Sequence, residues 1–203
     1  AQDKVGFSDD ISKIIPQNES NFAVYDGAKL VNKFDNLQSA IDSVPADGKQ
    51  YMIALLQESY GIDSAINLNA GQNILLNTSP ILSKQAKLLR QTDDVLFNVN
   101  KASTLSFANV EIDGNASGFP NAQALLHIDN ANAIVNIGVN EELGFPKFHN
   151  NSAPKSSTID FTAGTLNFYG WEISGNTALN GAGIFVGTFD EGKAEQIATL
   201  NLQ

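Results

Sequence analysis

The chain has 203 residues, 42% of them hydrophobic, and sets 22 acidic against 12 basic side chains for a net charge of −10. Such a composition can build a sizeable core, while the acidic balance works against DNA, RNA and anionic membranes, which bind through lysine and arginine. The absence of cysteine excludes disulfides and thiolate metal sites, and no apolar run reaches the roughly 18 residues of a membrane-spanning helix.

Residues 1–21 read as a polar N-terminal arm. Its apolar cluster, Ile11, Ile14 and Ile15, is broken by Pro16. Residues 22–57 read as an N-terminal cap. FAVY (22–25) is a short strand ended by the turn signal Asp26-Gly27. A helix is predicted over 36–44, capped by Asp35 or Asn36, because Leu37, Ala40, Ile41 and Val44 recur at helical spacing. Pro45 and Asp47-Gly48 close it, and YMIALLQ (51–57) follows as a buried strand.

From residue 58 to 203 short strands alternate with Asn, Gly, Ser and Asp. TLSFANVEIDGN (104–115) and TLNFYGWEISGN (165–176) share seven of twelve residues, and fainter copies begin at Ile134 and Thr199, so the starts step by 30, 31 and 34 residues. A fixed period of this size marks a repeat architecture. Aligned on it, first strands read Ile66-Asn67-Leu68, Phe97-Asn98-Val99, Leu126-His127-Ile128, Ile159-Asp160-Phe161 and Ile184-Phe185-Val186. Second strands run from Ile74-Leu75-Leu76 to Leu200-Asn201-Leu202, and third strands include Glu111-Ile112-Asp113, Lys147-Phe148-His149 and Glu172-Ile173-Ser174. Flanking apolar residues share one face and middle residues the other. The expected fold is all-β: a parallel β-helix, or β-solenoid, with three strands per turn and a short N-terminal capping helix. Its far end would expose apolar core and strand edges, so the chain is expected to be part of a longer one.

Two stretches, GWEISGNTALNGAGIFV (170–186) and FHNNSA (148–153), resemble repeats of large bacterial cell-surface adhesins with right-handed β-helix, pectin-lyase-like folds. NLQSAI (36–41) resembles the cap helix of the same class, and the resemblance covers about residues 22–203. It departs at Gly181-Ala182-Gly183, where the family pattern has three glycines, and at the inserted Asn140–Pro146. The resemblance implies a non-catalytic extracellular adhesin domain on a bacterial surface, binding host or matrix glycans without a cofactor. The same fold class also serves polysaccharide lyases, glycoside hydrolases and passive stalks.

The outward column Asn67, Asn98, His127, Asp160 and Phe185 makes His127 and Asp160 neighbours. That pair reads as part of a sugar-binding strip, as an acid/base pair, or as a cross-strand contact on a solvated face. A second column, Ser106, Asn136, Asn167 and Asn201, extends the strip with amides that both donate and accept. Tyr169 points outward and with Phe185 offers an aromatic platform, whereas Trp171 aligns with Val110 as an inward residue. Asn115, Asn151 and Asn176 recur at a corner and, with the alternating column Glu111, Lys147 and Glu172, read as structural ladders. As glycosidase carboxylates Glu111 and Glu172 would stand about 9.6 Å apart, at the outer limit for an inverting pair, with a lysine between them. No metal site is expected, since His149 has no second ligand at metal spacing. The loops 78–87, 140–147 and 187–196 are alternative binding elements.

Overall fold

The computed structural model describes residues 20–187 and 197–203. Most of the N-terminal arm and residues 188–196 of the last loop lie outside it. The chain starts with an antiparallel hairpin, β1 (Phe22–Asp26) and β2 (Lys29–Phe34), turned at Gly27, which has φ +57. Helix α1 (Leu37–Ser43) follows. The Asn36 side chain accepts from the Ser39 N–H, so it supplies the N-cap. Leu37, Ala40 and Ile41 are the buried face.

The remaining strands come in rows. β3 (Gln50–Leu55) and β4 (Ser59–Ile62) form the first. β5 (Ile66–Asn67), β6 (Asn73–Thr78) and β7 (Ala86–Arg90) form the second, and β8 (Phe97–Val99), β9 (Thr104–Phe107) and β10 (Val110–Asp113) the third. The fourth holds β11 (Leu126–Ile137), β12 (Lys147–His149) and β13 (Ser152–Ala153). The fifth holds β14 (Ile159–Phe168), β15 (Glu172–Ser174) and β16 (Thr177–Ala178), and β17 (Ile184–Val186) and β18 (Ala198–Leu202) come last. Parallel pairing sets Leu105 beside Ile74, Val135 beside Leu105 and Leu166 beside Val135. In the second sheet it sets Ile112 beside Leu88 and Phe148 beside Ile112. All these apolar residues are fully buried.

This is not the expected right-handed parallel β-helix with three strands per turn. The strands form a mixed sheet of eleven, a parallel sheet of five and a pair of two. The mixed sheet is antiparallel at its start, where β2, β1 and β3 lie side by side. The expected first and second strands do not occupy separate faces. In the fourth and fifth rows they fuse into the single strands β11 and β14, with a register shift between Ile128 and Ile134. No glycine or proline breaks the segment Asp129–Ala133, so the backbone stays extended through it. Opposite it, Gly164 has φ +118, and a Cβ there would lie 2.8 Å from the carbonyl oxygens of Asn130 and Ala133. Glycine therefore lets β14 follow the irregularity without turning a corner.

The core lies between the two larger sheets. Within it Phe107 meets Phe97 and Phe148 edge to face, with ring centroids 5.1 Å away in both cases. The last row is less covered. Leu200 and Leu202 are 38% and 65% exposed, although their partners Leu166 and Phe168 are fully buried. Trp171, expected inside, is 41% exposed and packs edge-on against Phe168. Its sheet ends at β15, so no described strand folds over it. Phe107→Ala should lower stability by about 3–5 kcal/mol, the usual cost of emptying a buried phenylalanine site. Urea unfolding monitored by circular dichroism would show the lower midpoint.

Candidate functional site

Two polar surfaces stand out, one on each large sheet. On the mixed sheet, His127 of β11 and Asp160 of β14 are register partners. His127 Nδ1 lies 3.0 Å from Asp160 Oδ2, and each side chain is 24% exposed. Asn98 precedes them in the same column and its amide donates to Asn67 Oδ1 at 3.1 Å. Phe185 follows Asp160 in register. Around the pair, Asn98, Asn100, Gln123, Asp129 and Ser156 line an open groove of about 370 Å³. Among the described residues no hydroxyl hydrogen-bonds His127 Nε2, so the pair is not part of a hydroxyl–histidine–carboxylate relay.

The wall of this groove is built on the chain's one arginine. Arg90 closes β7 and is completely buried. Its Nη1 donates to the carbonyls of Thr92 and Asp94, and its Nη2 to those of Gln123 and Ala124 at 3.0 and 2.9 Å. The planar fork thus ties two consecutive corners together, and Asp94 and Gln123 of those corners line the groove. Burial pulls the guanidinium down to about 10, with Asp93 and Asp94 opposing, which leaves it charged at neutral pH. Its sequence neighbours suggest none of this, because its partners are main-chain carbonyls.

The second outward column is elsewhere and is occupied internally. Asn201 donates to Asn167 Oδ1 at 2.7 Å, Asn167 to Asn136 Oδ1 at 2.9 Å, and Asn136 to Ser106 Oγ at 2.9 Å. An amide chain of this kind satisfies most of its own donors and acceptors. Tyr169 follows the far end of β14 and Phe185 pairs with its start, so these two rings do not come together. The sequence-derived strip is therefore two separated patches.

The five-stranded sheet carries a charged face. Lys87, Glu111, Lys147 and Glu172 are successive register partners, which extends the expected Glu-Lys-Glu ladder by one lysine. Lys147 Nζ lies 3.3 Å from Glu172 Oε1, but Glu111 turns the other way. Its Oε1 lies 3.3 Å from Lys87 Nζ and 2.7 Å from His149 Nε2. Asp113 Oδ2 is 3.2 Å from Lys87 Nζ and 3.9 Å from His149 Nε2. His149 is 38 residues from Glu111 and 36 from Asp113, so only the pairing of β12 with β10 brings it to them. Burial alone would raise the Asp113 carboxyl. The Asn115 N–H, the Asn150 amide, Lys87 and His149 outweigh it and hold the group below its ordinary value. For Lys87 burial likewise opposes charge, but Asp113 and Glu111 prevail and raise it. Glu172 is lowered by the Ser174 hydroxyl and Lys147.

The corner asparagines bond the main chain rather than one another's side chains. Asn115 donates to the Arg90 carbonyl, Asn151 to that of Gln123 and Asn176 to that of Phe148. The left-handed positions are Asn115 (φ 47), Asn150 (φ 56) and Gly175 (φ 62), so the corner slips by one residue after the third row. A larger hollow of about 740 Å³ near Asn21, Gln38 and Tyr60 is mostly self-satisfied. Tyr60 accepts from the Gln57 N–H and donates to the Asn21 carbonyl, and Gln38 bonds both main-chain groups of Asn67.

No family model matches the chain, and neither a curated protein nor a solved structure does.

Arg90→Lys should destabilise the fold by about 2–4 kcal/mol, because an ammonium with three donors cannot serve four carbonyls from the buried position Arg90 occupies. Thermal unfolding should show the loss, and a change below about 1 kcal/mol would contradict the pin. Asp113 generates a pH dependence. Its folded-state value is depressed, so its contribution is full above the ordinary 3.8 and disappears as pH falls through the lower folded value. Between pH 5 and pH 2 the wild-type melting temperature should therefore fall more steeply than that of Asp113→Asn.

Proposed function

We propose that the chain is a non-catalytic adhesin domain of a bacterial surface protein, working outside the cell and binding a host or matrix glycan. The observation that carries this reading is the open groove over His127 and Asp160, whose remaining walls include Asn98, Asn100, Gln123 and Ser156. Amides and hydroxyls with both donor and acceptor capacity suit the hydroxyls of a sugar. The groove is wide and shallow, which favours a segment of an extended chain over an enclosed small molecule. Arg90 fixes one wall before any ligand arrives, and a preformed site loses less on binding. The extracellular placement rests on the resemblance of residues 148–153 and 170–186 to surface adhesin repeats.

A second reading, a polysaccharide lyase or glycoside hydrolase, is favoured by the His127–Asp160 hydrogen bond. In that case the imidazole is the proton-transfer group and Asp160 orients it. Glu111 and Glu172 do not support it, since Lys147 stands between them in register.

One set of experiments separates the readings. Glycan-array screening followed by calorimetry should find a ligand whose affinity drops at least about tenfold in His127→Gln and Asp160→Asn, equivalent to about 1.4 kcal/mol. The ligand should be recovered unchanged. Cleavage of acidic polysaccharide that is lost in the same variants would establish the enzyme instead. Absence of any glycan ligand would leave a stalk.

A further inference from the structure

The geometry points to a divalent transition-metal site on the five-stranded sheet, formed by Glu111, Asp113 and His149, in which the ammonium of Lys87 holds the ion's place. The three side chains each offer one ligand atom, and these atoms lie within 4.8 Å of one another. The relevant separations are 2.7 Å from His149 Nε2 to Glu111 Oε1 and 3.9 Å from Nε2 to Asp113 Oδ2. A tetrahedral zinc ion with bonds of about 2.0–2.1 Å keeps its ligand atoms roughly 3.3 Å apart, between those two values. Small rotations about χ angles would therefore suffice, with no strand movement. One imidazole with two carboxylates suits zinc and its neighbours better than calcium or magnesium, which take oxygen ligands.

Asp113 is already aimed. Its Oδ1 accepts from the Asn115 N–H at 2.8 Å and from the Asn150 amide at 2.9 Å. That leaves Oδ2 facing the cluster, and its side chain is only 9% exposed. Both asparagines have positive φ, the only non-glycine residues among those described that do. Fixing a ligand by bonding its other atom is how outer-shell groups orient metal ligands. A positive charge is already at the position, since Lys87 Nζ sits 3.3 Å from Glu111 and 3.2 Å from Asp113. An arriving ion would displace it. Beside the cluster is a hollow of about 360 Å³ lined by Glu58, Ser59, Gln85 and Lys87 itself. Lys87 can swing into that space, toward Glu58, and the hollow also admits the ion from solvent.

Lys87 is then a competitor rather than a ligand, and this makes the site testable in both directions. Zn²⁺ titrated into the full chain should give one site by calorimetry, and Co²⁺ should give a visible absorption band of nitrogen and oxygen coordination. His149→Ala should weaken binding at least about tenfold, and Lys87→Met should tighten it. Ca²⁺ and Mg²⁺ should not compete at equal concentration. Circular dichroism melts of each variant report folding; if Asp113→Asn does not fold, His149→Ala decides. No Zn²⁺ binding up to about 1 mM, or an affinity unchanged in His149→Ala, would overturn the site. Weaker binding in Lys87→Met would overturn the role given to that lysine.

Discussion

The parallel main-chain ladder, repeated about every 30 residues, constrains everything else in this molecule. The amide chain from Ser106 to Asn201 shows the interval directly, as its links span 30, 31 and 34 residues. Slipping one strand by a residue would turn its apolar set outward and its polar set inward. Such a slip would place Leu105 or Leu166, both completely buried, in water. The hydrophobic core therefore selects one register, and that register decides which polar residues meet. His127 meets Asp160, and Glu111 meets Lys87, because their apolar neighbours leave no other register.

The columns were legible because alternation and period are properties of the sequence. Ile66, Phe97, Leu126, Ile159 and Ile184 do pair in order, and Asn36 does cap the short helix. What the period could not reveal was where the chain bends. A corner and a bulge use similar residues, and the segment Asp129–Ala133 with Gly164 opposite makes a bulge. That local choice joins the expected first and second strands into one sheet, which faces a smaller parallel one. The antiparallel hairpin at the start was equally hidden, because its second strand, Lys29–Phe34, is almost wholly exposed and has no apolar alternation to mark it.

The sites were partly legible for the same reason. Direct neighbours in a column, such as His127 and Asp160, follow from alignment alone. Diagonal contacts do not, because they depend on side-chain rotamers. Glu111 bonds His149, which is the register partner of Asp113, and only the three-dimensional arrangement shows it. Arg90 was invisible for another reason. Its partners are carbonyls, which every residue possesses, so no pattern of side chains advertises it. An acidic chain with a single arginine uses it in the interior, as a clamp on two corners, rather than on the surface.

The hairpin at the start has a consequence for how the molecule comes into being. β2 is the outer edge strand beside β1, and its exposed Lys29 and Lys33 discourage further pairing along that margin. In the main sheet β6, β9, β11, β14, β17 and β18 each find a partner in an earlier row, whereas β5 pairs only with the later β8. A nascent chain leaving the ribosome amino terminus first can thus complete a foundation and add layers to it one at a time. Along that spine construction is vectorial, each finished layer serving as the template for the next, while β4, β5 and β13 gain their strand partners only when the following row is made.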